Sequence, residues 1–179
     1  ELPDARRDRM MADYGLSSYD AGLITASKAT ADFFDEVVSY KVDAKAAANY
    51  LMGEMAKHLN SENCSIQDSP ISAKNLAGLL ELLAKGTISS KIAKTVFEEM
   101  WKSGHDAATI VKEKGLVQIS DAGAITGIVD AVVAANPQSV ADYKGGKQKA
   151  IGFMVGQVMK QTKGRANPEM VNKLLRERM

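Results

Sequence analysis

Apolar residues recur every three or four positions along most of this chain, the period of a helix with one buried face, and the two-residue alternation of a half-buried strand is missing. Caps and breakers then divide the pattern into elements. Pro3-Asp4 opens a first helix that Gly15 closes, Ser17 or Ser18 caps a second over 19–24, and an amphipathic stretch follows to Tyr40 with Phe33, Phe34, Val37 and Val38 as its core face. Asp43 caps a helix through Leu59 that buries Tyr50, Leu51 and Met55, and residues 60–70 are polar and turn-rich, a loop. Ser72 starts a helix carrying Leu76, Leu79, Leu80 and Leu83 to Gly86; Ser89 or Ser90 starts another through Trp101, stopped by Gly104; Asp106 starts a short one that ends at Gly115.

A short apolar connector, 115–120, precedes a cap at Asp121, and helices over 121–135, 137–143, 147–161 and 168–178 complete the chain. Asn167 as N-cap with Pro168 at the first helical position is a strong start signal. The pattern therefore predicts an all-α protein: a multi-helix domain over 1–115 followed by a small C-terminal helical bundle over 116–179.

Composition supports a core without adding chemistry. The chain has 179 residues, 45% hydrophobic, with four prolines. No apolar run approaches the roughly 18 residues of a membrane span, and no secretory leader pattern is visible. The single Cys64 suits a reducing compartment, so a cytoplasmic protein is expected. The opening Glu1-Leu2-Pro3-Asp4-Ala5-Arg6-Arg7 reads as a segment leaving an earlier domain.

Charge changes the picture more. Residues 136–179 carry nine basic groups against three acids, a net of +6, whereas residues 1–135 carry a net of −5, so the overall +1 conceals a bipolar chain. Such asymmetry points to a polyanionic partner. It falls on a particular face. Ile151, Met154, Val155, Val158 and Met159 form one apolar stripe, and at 100° per residue Gly152, Phe153, Gly156, Lys160 and Lys163 all lie within about 60° of Lys149, nearly opposite it. Ammonium groups beside missing side chains let a phosphate backbone come close and be neutralised without base reading. The alternative is that Gly152 and Gly156 admit a neighbouring helix and the lysines are ordinary solvated charges.

Grouped catalytic side chains are absent from the pattern. His58 late in a helix and His105 beside Asp106 read as surface residues, and Cys64 has no metal-ligand spacing to a partner. Glu98 and Glu99 read as helix-surface acids. The run Tyr143-Lys144-Gly145-Gly146-Lys147-Gln148-Lys149 lacks the spacer, the hydroxyl residue and the preceding strand of a nucleotide phosphate loop, although a basic Gly-Gly turn at a helix start can hold one phosphate of a polymer through its amides.

The run Lys149-Ala150-Ile151-Gly152-Phe153-Met154-Val155-Gly156-Gln157-Val158-Met159-Lys160, followed by Lys163-Gly164-Arg165-Ala166-Asn167-Pro168, resembles the tail shared by the B subunit of tRNA-dependent amidotransferases and YqeY-like proteins. Glu1-Leu2-Pro3-Asp4-Ala5-Arg6-Arg7, Tyr14-Gly15-Leu16, Tyr19-Asp20-Ala21 and residues 85–94 resemble the helical domain of the same B subunit, so the likeness covers nearly the whole chain and favours that relative over a free-standing YqeY-like protein. Tyr50 stands where tryptophan is expected, Met154 where leucine is usual and Arg165 where lysine is usual. Each keeps size class or charge.

The resemblance implies a complex that converts glutamate on glutamine tRNA, or aspartate on asparagine tRNA, to the amide with ATP, magnesium and glutamine, the chemistry lying in a larger domain outside these residues. This chain would hold no cofactor, metal or catalytic residue of its own. Its implied share is the tRNA grip on the outer, elbow side, with Lys144, Lys147, Lys149, Lys160, Lys163 and Arg165 on phosphates and Gly152 and Gly156 permitting close approach. The implied partners are tRNA and the other amidotransferase subunits, with neither a membrane nor DNA. A structural adaptor that docks other subunits, its basic stripe incidental, is the alternative.

Overall fold

Several helices in this chain start where a short polar side chain accepts an amide hydrogen from the first turn. Ser17 accepts from the Asp20 N–H at 3.0 Å, Asp43 from Ala46 at 2.7 Å, Ser72 from Asn75 at 3.1 Å and Asp106 from Thr109 at 3.3 Å. Gly15 and Gly115 close their helices in the left-handed conformation, at φ 62° and 59°. The structure, a computed structural model describing residues 1–119 and 122–179, is accordingly all-α, with one isolated parallel bridge, Ile119 to Ala166, and no strand among the described residues. The cap expected at Asp121 lies outside the described residues. None of the described helices is long and apolar enough to cross a membrane.

The chain forms two compact units, Glu1–Lys85 with Ala93–Gly115, and Gly86–Ile92 with Leu116–Met179. The first contains α1 (Pro3–Tyr14), α2 (Ser18–Thr25), α3 (Lys28–Ser39), α4 (Ala44–Tyr50), α5 (Ala56–Glu62), α6 (Ala73–Ala84), most of α7 (Ser90–Ser103) and α8 (Ala107–Lys114). Met10, Ile24, Phe34, Met55, Leu76, Leu79, Phe97 and Met100 are fully buried in it. Each such side chain contributes about 1.5–3 kcal/mol relative to exposure.

Three features of this unit depart from the pattern. Leu51–Met55, between α4 and α5, is a π-helical turn, so the continuous α-helix expected there is interrupted. The expected loop over 60–70 is partly helical: α5 runs to Glu62, Asn63 turns left-handed at φ 50°, and Ser65 and Asp68 cap a 3-10 turn, Ile66–Asp68, that buries Ile66. His58 is not a surface residue. Its side chain is 15% exposed, its ring stacks on Trp101 with centroids 4.8 Å apart, and Nε2 lies 3.0 Å from Glu98 Oε1. The Trp101 indole N–H donates to Glu62 at 2.7 Å, so the helix expected to end at Leu59 is held about one turn longer by a partner 39 residues away.

The second unit contains α9 (Ala122–Ala135), α10 (Pro137–Lys144), α11 (Lys149–Gln161) and α12 (Pro168–Arg178). Its core is Ile125, Val129 and Val132 of α9, Met154 and Val158 of α11, Ala166, and Val171 and Leu175 of α12. Backbone bonds fasten its extended pieces together: Gln118 N–H donates to Thr87 O at 2.7 Å, Ile119 N–H to Arg165 O at 2.6 Å, and Asn167 N–H to Ile119 O at 3.0 Å. Residues 86–92 join this unit through that ladder, a connection no local pattern announces.

Candidate nucleic-acid interface

Helix α11 divides along its length. Met154 and Val158 are fully buried, Ile151, Val155 and Met159 pack against the same core, and Lys149, Gly152, Phe153, Gly156 and Lys160 are exposed. A Cβ added at Gly152 or Gly156 would meet nothing within 4 Å, so no helix among the described residues of this chain packs against either glycine. Gly22, Gly78 and Gly127 share this openness. Charge, not the missing side chain alone, therefore sets the α11 face apart.

The helical wheel fails at the ends of α11. It starts at Lys149, two residues later than expected, because Gly146 (φ 93°), Lys147 and Gln148 form a turn in which Lys147 N–H donates to Asp142 O at 2.9 Å. The Lys147 ammonium lies 3.2 Å from Asp142 Oδ1, and with Gln138 it holds that carboxyl below the usual carboxylate range. The Gly-Gly amides are not available for phosphate either. Gly145 donates to Ala141 O, Gly146 to Tyr143 O and Gln148 to Gly146 O, so this turn is built to reverse the chain rather than to bind an anion.

At the other end, α11 stops at Gln161 and Lys163 adopts φ 52°, outside helical geometry, so its direction does not follow from the 100° period. Gly164 N–H donates to Met159 O at 2.8 Å, and the buried Thr162 hydroxyl donates to Val158 O and accepts from Ala166 N–H. Arg165 is half-buried, its Nε donating to Thr162 O at 3.3 Å. Lys163 and Arg165 thus project from an ordered turn and not from the helix face.

Which charges remain unbalanced follows from the partners. Arg178 pairs with Asp130, and Lys173 and Arg176 share one surface of α12 with Glu169 and Glu177. Lys144, Lys149, Lys160 and Lys163 are exposed and make no ion pair among the described residues, and no acid occurs between Asp142 and Glu169. Among the described residues no cluster of His, Cys, Asp or Glu is placed to hold a metal ion. Glu99 pairs with Lys114 at 2.8 Å and Glu98 Oε1 lies 3.0 Å from His58 Nε2, so each glutamate is held by a partner from another helix.

A family model described as the GatB domain matches residues 32–179. The chain belongs to that family. Proteins named as the B subunit of aspartyl/glutamyl-tRNA(Asn/Gln) amidotransferase align with all 179 residues: 56% identical from Moorella thermoacetica, 54% from Shouchella clausii and 53% from Carboxydothermus hydrogenoformans. The chain spans 37–38% of the length of these curated relatives.

In this GatB domain one basic residue at the candidate surface has no signal in the sequence. Lys91 is exposed, and its Nζ lies 4.0 Å from the position a Cβ would take on Gly164. It reaches the Lys163–Arg165 turn from a segment more than 70 residues earlier, carried there with the Thr87–Gln118 bond. No spacing rule connects such positions.

Proposed function

We propose that this chain is a non-catalytic tRNA-binding part of an amidotransferase B subunit, of the kind that serves glutamine or asparagine tRNA in the cytoplasm, organised as a connector over 1–115 and a tail over 116–179. Lys144, Lys149, Lys160 and Lys163, with Arg165 and the partly neutralised Lys147, contact phosphates on the elbow side of the tRNA, and Gly152 and Gly156 leave room for its backbone. ATP, magnesium and glutamine belong to the complete complex, and this chain uses no cofactor. The observation that carries the reading is the open α11 face: lysines and side-chain-free positions lie together, with no acid between Asp142 and Glu169 to repel a polyanion.

Docking to other amidotransferase subunits is a second role, favoured by the first unit. Tyr19 and Leu23, one turn apart on α2, are 74% and 47% exposed, an apolar pair suited to a protein surface.

Binding of unmodified glutamine tRNA across a salt series, by the wild type and by a Lys149→Ala, Lys160→Ala, Lys163→Ala variant, tests the proposal. The expected result is tenfold or greater weakening in the variant and a log–log salt slope shallower by about 2–3, since each lost phosphate contact removes about 0.7–0.9. Equal affinity in a folded variant would overturn the tRNA reading and leave the adaptor role.

A further inference from the structure

Burying a phenylalanine is worth about 1.5–3 kcal/mol, and α11 has a core to bury it in. Phe153 nevertheless stays 50% exposed while the adjacent Met154 is fully buried. It is the exposed aromatic of the second unit among the described residues. Its neighbours on the helix surface are Lys149 one turn before, Gly152 beside it and Gly156 one turn after, so the two glycines flank the ring with open space. Side chains on a helix lean toward its N-terminus, which directs the ring over the turn that carries Lys149.

We propose that Phe153 is a stacking platform for an unpaired base of the bound RNA, an inference that rests on the tRNA reading above. An aromatic ring among phosphate-neutralising cations is the arrangement that holds single-stranded nucleic acid, because every base offers a π-face whatever its sequence. A paired A-form stem presents ribose and phosphate on its outside and leaves no base face for the ring. The RNA segment that reaches α11 is therefore a loop or bulge. An apolar protein surface would also cover a phenylalanine, but the exposed lysines of its helix and the lack of any acid in the sequence between Asp142 and Glu169 favour a polyanion that carries aromatic faces.

The test compares Kd values for unmodified glutamine tRNA across a salt series for the wild type, Phe153→Ala, Phe153→Leu, Phe153→Tyr and the triple-lysine variant. Loss of one stack corresponds to roughly ten- to hundredfold weaker binding. Phe153→Ala and Phe153→Leu are expected to show that loss at every salt concentration with the wild-type slope, whereas Phe153→Tyr retains the affinity. In Phe153→Trp the added indole emission is expected to be quenched when tRNA binds, against the Trp101 background. Wild-type affinity in Phe153→Ala, while the triple-lysine variant binds weakly, overturns the stacking role and assigns the ring to a protein contact. Wild-type affinity in Phe153→Leu shows that apolar area rather than a ring plane is needed, and also overturns it. Absence of wild-type binding, or full binding by the triple-lysine variant, removes instead the tRNA reading on which the inference stands.

Discussion

Asp35 joins the first helix to the third. Arg6 donates to it from Nε at 3.0 Å and Nη2 at 2.7 Å, Arg9 donates from Nη2 at 2.8 Å, and Arg6 also pairs with Asp32 at 2.7 Å. Burial pushes the Asp35 carboxyl up, but the hydrogen bonds and charges of Arg9 and Arg6 outweigh it and hold the group below its ordinary 3.8. A carboxyl depressed on folding stabilises the folded state above its unfolded value, and that stabilisation is lost as pH falls through the folded one. Asp35→Asn is expected to cost about 1–2 kcal/mol in urea unfolding at pH 7. The difference from wild type should shrink below about pH 4, and a difference that persists at acid pH would exclude the charge as its source. The charges themselves are plain in the sequence, but the pairing is not, because these partners are 26–29 residues apart.

Helix α11 is legible in the sequence because a buried stripe and an exposed face are set by positions three and four apart. Its glycines carry the clearest consequence. Glycine within a helix costs about 0.5–1 kcal/mol relative to alanine, and a methyl at Gly152 or Gly156 meets no neighbour. Alanine at each position should therefore raise stability by about that amount in denaturant unfolding. The same substitutions are expected to weaken tRNA binding severalfold, since the methyls occupy the space proposed for the RNA. A gain in stability with undiminished affinity would show that no ligand approaches this face closely. The ends of α11 depart from the pattern for a physical reason: Lys147 N–H donates to Asp142 O and Gly164 N–H, next to the left-handed Lys163, donates to Met159 O, bonds five residues back that fall outside the four-residue helical repeat.

Across the molecule, charge is segregated rather than scarce. The acidic first three-quarters and the basic remainder nearly cancel, so mean charge says little about a partner while its distribution says much. Pairing narrows the basic set: Lys147 and Arg178 have carboxylate partners, and the α12 pair Lys173 and Arg176 lie beside Glu169 and Glu177. With about four to six phosphates contacted, the affinity of the wild type for tRNA is expected to fall with salt at a log–log slope of about −3 to −5. A slope near zero would place the binding energy in apolar contact and favour the adaptor role.

Helix positions, caps, the all-α class and the basic face of α11 can all be read along the chain, because each depends on interactions within about four residues. The resemblance to the GatB family is legible as well, in motifs that keep their order from Glu1 to Pro168. Folding in three dimensions was needed to place Lys91 beside Gly164, to enclose His58 between Glu98 and Trp101, and to engage the amides of the Gly145-Gly146 turn. The Lys91 and His58 placements join groups at least 40 residues apart, which share no period, and the turn amides are engaged by backbone carbonyls that no side-chain pattern marks.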